Sequence, residues 1–269
     1  MNIQINGSEL LLALTGAGKV VPRKNSIPVL GCVRFTVEDN RVKLTATDLD
    51  ATMDYTFEEA EVVNRSGSVI VNVKDLQRLV KKAAKDSVRL IDVKPDQAEI
   101  TLSGELGERT HYLPAYPEDE WQEPVPNIPV RDADGRFLET LRQVQPFAST
   151  DETRYVLNGA AIQQHEGSHL LVTTDGHRLC ASQPLSLPLD RDLIVPPHKF
   201  ALWSKLSPDC ALGADERYFR LVSGPWSLTV KQIEGEFPRW RQILPRHEDP
   251  KTFTLHPDDL PAFEEAVRT

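Results

Sequence analysis

Cysteine is scarce in this 269-residue chain: Cys32, Cys180 and Cys210 are the full set, widely spaced and odd in number. With no CxxC spacing among them, neither a disulfide framework nor a thiolate zinc site is indicated, and a reducing, cytoplasmic setting is expected. Long apolar runs are also missing, and the start MNIQINGSELL lacks a basic region followed by an apolar core. Neither a membrane span nor a signal peptide is therefore expected. Basic residues are in deficit, 31 against 40 acidic, for a net charge of −9. That balance argues against a protein that coats nucleic acid indiscriminately, which needs a strongly basic face.

What the chain does have is internal repetition. The stretch SIPVLGCVRF (Ser26 to Phe35) is answered by RYVLNGAAIQ (Arg154 to Gln163), and LTATDLDA (Leu44 to Ala51) by LVTTDGHRLCA (Leu171 to Ala181). Further on, VIVNVKDLQRLV (Val69 to Val80) is matched by LIVPPHKFALWS (Leu193 to Ser204), and LPAYPEDEW (Leu113 to Trp121) loosely by IEGEFPRWR (Ile233 to Arg241). One architectural unit is used twice. A third copy opens at TFTLHPDDLPAFEEAV (Thr252 to Val267), which imitates NIQINGSELLLALTGA (Asn2 to Ala17).

Within the first unit the pattern predicts a strand over Ile3 to Ile5, then a helix capped by Ser8 and closed by Pro22. A hairpin follows, with Val33, Phe35 and Val37 alternating on one arm and Val42, Leu44 and Ala46 on the other. The half-unit recurs as a strand at Val69 to Val71, a helix over Val73 to Lys85, and strands at Val88 to Val93, Ala98 to Leu102 and Arg109 to Leu113. These alternations predict an α+β protein of tandem two-layer domains, helices packed on one side of antiparallel strands. The proline-rich, acidic stretch Pro114 to Pro129 reads as a linker between units. Domains are expected at residues 1–122 and 126–247, followed by a stub at 250–269.

On the helix from Val73 to Lys85, the cations Lys74, Arg78, Lys81, Lys82 and Lys85 share about 100° of arc, while Val73, Leu76, Leu79, Val80 and Ala83 form an apolar stripe. Such a row can follow phosphates without reading bases; the alternative is a solvated face with a chance positive bias. Lys19, Arg23 and Lys24 extend the charge at the end of the first helix, and Arg136, Arg142, Lys199 and Lys205 repeat it weakly in the second unit.

Catalytic chemistry finds little support. In TDGHRL (Thr174 to Leu179) the Asp175-Gly176 pair reads as a two-residue hairpin turn, which accounts for the aspartate without a hydrolase or a metal. The remaining histidines have no metal-ligand spacing. GAGK (Gly16 to Lys19) fails as a phosphate loop, because Ala13 and Val20 stand where glycine and Ser or Thr are needed. No catalytic residue, metal or cofactor is assigned.

Taken together, VPRKNSIPVLGCV, LTATDLDATM, STDETRYVLNGAAI, LLVTTDGHRLCAS, LIVPPHKF and EGEFPRWRQILP resemble, in order and spacing, the bacterial sliding clamp, the beta subunit of DNA polymerase III. The resemblance implies a DNA-clamp fold, with helices on the inner face and sheets outside. It also implies a non-catalytic, homo-oligomeric ring around duplex DNA, without sequence preference, that tethers the polymerase III catalytic subunit and clamp loader through their clamp-binding peptides. The positions that match the family's peptide pocket are Leu157, Thr174, Gly176, His177, Arg178, Leu179, Pro238 and Ile243. Lys24 matches a basic position near DNA, and the Lys74 to Lys85 row falls on an inner helix. The family's third domain is represented only by its opening, so the ring contact and half of the peptide pocket depart from the family pattern. Three readings follow: a clamp subunit, which with two domains per chain could close as a trimer; an open clamp-like module that binds partner peptides or competes with a full-length clamp; and a fragment of a longer product.

Overall fold

The computed structural model describes the chain apart from residues 23–25, 39–40, 65–66, 82–86, 95, 105–106, 122–125, 243, 245–253, 255 and 264–269. It forms two bodies, Met1–Phe237 and Pro238–Thr269. The first repeat contributes β1 (Asn2–Asn6), α1 (Gly7–Ala17), β2 (Cys32–Glu38), β3 (Arg41–Thr47), β4 (Ala51–Thr56), β5 (Glu61–Asn64), β6 (Val69–Asn72), α2 (Val73–Val80), β7 (Ser87–Lys94), β8 (Gln97–Gly104) and β9 (Gly107–Pro114). The second contributes β10 (Arg131–Asp132), α3 (Phe137–Val144), β11 (Ala160–His165), β12 (Ser168–Thr174), β13 (Leu179–Ala181), β14 (Leu193–Val195), β15 (Ala211–Ala214), β16 (Tyr218–Ser223) and β17 (Trp226–Lys231).

These strands make three antiparallel sheets, in the orders β5-β1-β7-β8-β9, β10-β15-β16-β17-β4-β3-β2-β6 and β13-β12-β11-β14. The repeat is visible in the pairing. β1 pairs with β7 as β10 pairs with β15, and β2 with β6 as β11 with β14. The middle sheet is shared, because β17 of the second repeat adds directly to β4 of the first, with Trp226 opposite Tyr55 and Leu228 opposite Met53.

Alternation explains the hairpins. In β2 and β3, Phe35 lies opposite Leu44 and Val37 opposite Val42, so one face of the pair is apolar and buried. Leu10, Ala13, Leu14 and Ala17 of α1, with Val73, Leu76 and Val80 of α2, supply the opposing layer, and the two helices pack on each other. α1 is capped two residues earlier than Ser8. The Asn6 side chain accepts from the backbone N–H groups of Ser8 (2.9 Å) and Glu9 (3.2 Å), because Asn6 is the residue still held extended by β1. Asn72 caps α2 in the same way, accepting from Lys74 and Asp75. The helix described here runs to Val80 with Lys81 as its C-cap; Lys82 and Lys85 lie outside the described residues.

The second repeat has no equivalent of α2. Pro196 and Pro197 stand where Asn72 and Val73 cap and open that helix, and 198–206 forms successive turns closed by Leu202 N–H to His198 O (3.3 Å) and Trp203 N–H to Phe200 O (3.0 Å). Without an Asn cap and with Pro208 close behind, the segment is too short to propagate a helix.

The expected linker is pinned at both ends. Glu118 binds Arg34 and Ser68, and Trp121 is buried with Val29, Cys32 and Ile70. At its far end Ile128 is buried, and Pro129 lies so close to Gly213 that a Cβ there would sit 2.0 Å from its carbonyl oxygen. The second body holds a 3-10 turn at Trp240–Gln242, with Arg241 stacked 4.6 Å from the Trp240 ring centroid, and another at Pro257–Asp259. Leu260 and Phe263 are exposed, while Phe253, Leu255 and Val267 lie outside the described residues.

The junction of the repeats is cemented by aromatics. Trp226 packs edge-on against Tyr55 (4.4 Å between centroids), Phe200 (5.4 Å) and Trp203 (5.3 Å). Gly16 permits it, since a Cβ at that position would lie 2.4 Å from the Trp226 ring and 3.2 Å from Trp203. Gly16→Ala is expected to destabilise the protein despite a helix-propensity gain of about 1 kcal/mol, because overpacking costs about 1–3 kcal/mol; a lower urea midpoint measures it.

Asp134 organises the entry to α3. Its carboxylate accepts from the Arg136 backbone N–H (3.0 Å), from Arg136 Nε (2.9 Å) and Nη2 (2.6 Å), and from the Ser186 N–H (3.4 Å). The Arg136 guanidinium contact, first, and these N–H groups hold its pKa well below the ordinary carboxylate range. A depressed folded-state pKa gives stability that is present above the unfolded value of about 3.9 and is lost as pH falls through the folded value. Asp134→Asn should therefore lower the melting temperature at neutral pH and flatten its fall below about pH 4, as thermal unfolding across that range will show.

Candidate functional site

Two groups of residues qualify as sites. The first is the cation row. Lys74, Arg78 and Lys81 occupy i, i+4 and i+7 around α2, so one helix face presents all three while Val73, Leu76 and Val80 anchor the other. All three are exposed. Arg78 reaches Asp75 one turn back at 3.5 Å, whereas Lys74 and Lys81 make no ion pair among the described residues. Lys24 lies outside the described residues.

The second repeat adds less than its sequence promised. Lys199 and Lys205 are exposed and make no ion pair among the described residues. Arg142 is different: its side chain is only 24% exposed, with Nη2 donating to Trp203 O (2.9 Å) and Nε to Leu202 O (3.4 Å), and Glu139 at 3.5 Å. It is a prop for the 198–206 turns rather than a free surface cation, because those turns leave carbonyls that no helix satisfies.

Tertiary structure then brings together two lysines from different repeats. A cavity of about 630 Å³ is lined by Gly18, Lys19, Val21, Asp48, His198, Lys199 and Leu202. Lys19 Nζ sits 5.1 Å from the Trp203 ring centroid, a cation–π contact that fixes the end of α1 against the second repeat. Burial pushes the His198 imidazole below its ordinary pKa, opposed by Asp48, and its Nδ1 accepts from the Phe200 N–H at 3.2 Å, the role of a neutral ring. Lys19 carried a sequence signal only as part of a basic cluster; the aromatic that holds it is 184 residues away, and no local pattern reports that pairing.

The second group surrounds the β12–β13 hairpin. The turn is centred one residue later than Asp175-Gly176. Asp175 and Arg178 close it (N–H to O, 3.4 Å), and Gly176, at φ +90°, and His177 form its tip. Asp175 is structural: its carboxylate accepts from the His177 N–H (2.9 Å), the Arg178 N–H (2.8 Å) and Arg178 Nε (2.9 Å), and these contacts hold its pKa well below the ordinary range. Thr174 Oγ1 spans the same turn, donating to Arg178 O (2.6 Å) and accepting from the Gly176 N–H (3.0 Å).

Arg178 is held on three sides, by Asp175, by Pro146 O (3.3 Å) and by the Phe147 ring (5.3 Å to its centroid). Arg154 approaches from the turn at Glu152–Leu157, donating to Asp175 O at 3.5 Å. That turn carries Leu157, which is buried, and Tyr155, which is 57% exposed. Thr174, Gly176, His177, Arg178 and Leu179 thus form one ordered hairpin, and Arg154 ties it to the segment that holds Leu157. Pro238 belongs to the second body, and Ile243 lies outside the described residues. Sequence reasoning missed Arg154 and Phe147; Arg154 lies within the quoted STDETRYVLNGAAI and Phe147 just before it, but only the fold turns them toward the hairpin.

Neither group has an activated nucleophile. Burial, chiefly, pushes the Cys32 thiol up to about 12 and the Cys210 thiol to about 11, with nearby carboxylates adding to both, and burial also raises Cys180. Among the described residues no three His, Cys, Asp or Glu side chains gather as a metal site, and no helix is long and apolar enough to cross a membrane.

Comparison with known proteins agrees with this architecture. Residues 1–123 match the DNA polymerase III beta subunit N-terminal domain, and residues 133–239 match the central domain of the same subunit. The beta sliding clamp of Pseudomonas putida is 26% identical over 260 residues, a span of 93% of this chain and 69% of the relative. Among solved structures, Caulobacter crescentus pol III beta is similar at a TM-score of 0.80 and 27% identity, covering 93% of this chain and 70% of that one. A Bartonella birtlesii DnaN sliding clamp bound to griselimycin is similar at 0.78 and 26% identity, covering 93% and 69%. With two domain matches in the family's order over most of its length, the chain belongs to the DNA polymerase III beta-subunit family, the sliding clamps.

Proposed function

We propose that this chain serves as a sliding-clamp subunit in the cytoplasm: it lies along duplex DNA without reading sequence and presents the β12–β13 hairpin to peptides of replication proteins, among them the polymerase III catalytic subunit and the clamp loader. It performs no reaction of its own and needs no cofactor. Its working parts are the segments 1–122 and 126–247, with 250–269 as the opening of a third unit.

The observation that carries this reading is the row Lys74, Arg78 and Lys81, exposed on one face of α2 in a chain whose net charge is −9. Local cations on an acidic protein give weak, register-free attraction to phosphates, which suits a protein that slides and does not coat. Lys199 and Lys205, with Lys19 at the junction, extend the field into the second repeat, and Lys24, Lys82 and Lys85 add to it in the first by sequence. Arg142 acts here through the turns it supports. For peptides, Leu179 and the Gly176 backbone offer surface over the buried Leu157 and Thr174, and His177 and Arg178 form a polar rim.

Lys74→Glu with Lys81→Glu should reduce binding to a short duplex in fluorescence anisotropy and shrink the slope of log affinity against log salt by up to about 0.9 per lost phosphate contact. An unchanged slope would assign the row to solvation. In calorimetry with a clamp-binding peptide, Leu179→Ala should weaken binding by about 10-fold or more, the loss expected for truncating an apolar anchor. Equal affinity for both proteins would remove the hairpin from the peptide site.

A further inference from the structure

The face of the shared eight-stranded sheet turned away from α1 and α2 is polar and recessed. Alternation points Lys43, Thr45, Asp54, Ser227, Thr229 and Arg220 to that side, whereas their neighbours Leu44, Met53, Leu228 and Leu221 face the core. These polar residues floor a cavity of about 940 Å³, rimmed by Pro126, Asn127 and Pro225. The polar face of an antiparallel sheet is ordinarily left to water, yet Thr45, Thr52 and Thr229 are only 4–5% exposed here.

Charge in the recess runs against that of the chain. Among the described residues that line it, the cations Arg34, Arg41, Lys43 and Arg220 outnumber the carboxylates Asp54 and Glu58, in a protein whose net charge is −9. Asp54 is turned into the sheet, accepting from Thr45 Oγ1 and Ser227 Oγ. One cation shows what this face holds: Arg34, with the Ser68 hydroxyl, binds the Glu118 carboxylate of the acidic turn Glu118–Glu120. Arg220 repeats that combination of guanidinium and hydroxyl, because it lies directly opposite Thr229. Its Nη1 reaches the Ile128 carbonyl at a long 3.4 Å, its Nε is buried with no acceptor, and it makes no ion pair among the described residues. Burial disfavours its charge, and Asp54 offsets this only in part. A carboxylate bridging the Nε and Nη edge would supply the missing acceptor in the fork geometry that guanidinium favours.

We infer that this recess binds an acidic, extended peptide of a partner protein, with one carboxylate seated on Arg220 and Thr229 and another on Arg41 and Lys43. Lys43 pairs with Thr56, while Arg220 connects through Thr229 to Thr52, so the two cations stand at opposite corners, from β3 to β16. At ordinary strand spacing and rise that diagonal is about 20 Å, the length of about six extended residues. A peptide fits better than nucleic acid, because the occupied seat at Arg34 holds a carboxylate and the cation row proposed for DNA lies on α2, across the sheet. None of these residues belongs to that row or to the β12–β13 hairpin, so failure here leaves both proposed contacts standing.

Fluorescence anisotropy of the full chain with labelled hexaglutamate tests it, with labelled hexaglutamine as the uncharged probe. The wild type should bind hexaglutamate and not hexaglutamine. Arg220→Gln should weaken hexaglutamate binding by about 10-fold or more, and the more exposed Arg41→Glu by about 3-fold or more. Arg41 is exposed at the start of β3, so its variant keeps the test decisive should Arg220→Gln fold poorly. Lys74→Glu with Lys81→Glu should leave hexaglutamate affinity unchanged, and both recess variants should keep the wild-type salt slope on duplex DNA. A wild type that does not tell the two probes apart, an Arg41→Glu protein that binds as the wild type does, or an affinity that falls with the α2 variant overturns the inference. A recess variant that flattens the duplex salt slope instead assigns the face to nucleic acid, and overturns it equally.

Discussion

The antiparallel pairing of β17 with β4 is the contact on which the rest of the molecule depends. It turns two repeats with separate helices into one body with a shared eight-stranded sheet, and it does so with both faces occupied. On the helix side Trp226 sits among Tyr55, Phe200 and Trp203. On the other, Asp54 accepts from Thr45 Oγ1 at 2.7 Å within the first repeat and from Ser227 Oγ at 3.3 Å across the junction. Aromatic burial supplies the driving force and the carboxylate specifies the register, because a one-residue slip would bury Asp54 and expose Tyr55.

The site geometry follows from that junction. Lys19 meets Trp203 and Lys199 only because α1 and the turns after Pro197 are brought edge to edge, so cations from both repeats share one surface. Arg142 is drawn the other way. Its charge is spent on carbonyls that the proline-rich replacement of the second helix leaves open, which explains why the second repeat contributes fewer free cations than its composition suggests. The β12–β13 hairpin is held by its own residues: Asp175, Thr174 and Arg178 bind one another and order its tip.

Much of the fold was legible residue by residue. The alternation in Val33 to Ala46 located a hairpin whose two arms are β2 and β3, and the apolar stripe of Val73, Leu76 and Val80 identified the buried face of α2. Errors were local and had local causes. Ser8 looked like a cap because it precedes the leucine run, but Asn6 is the residue with extended backbone at the strand end. The turn in TDGHRL was placed one residue early because Asp-Gly is the stronger turn dipeptide, while here Asp175 closes the turn and caps it from outside. The stretch matched to α2 in the second repeat kept its apolar residues but lost the Asn cap to prolines, and similarity of pattern hid that loss.

By itself the sequence determined the repeat, the α+β layering, the cation row and the ordered family segments, because each depends on residues within a few positions or on similarity between windows. Tertiary structure alone decided how those parts combine. That β17 meets β4, that Trp203 receives Lys19 and that Arg142 turns inward are all contacts between residues far apart in the chain. Periodicity reports which face of an element is buried, but not which distant element buries it, and here the distant element decides which side chains come together.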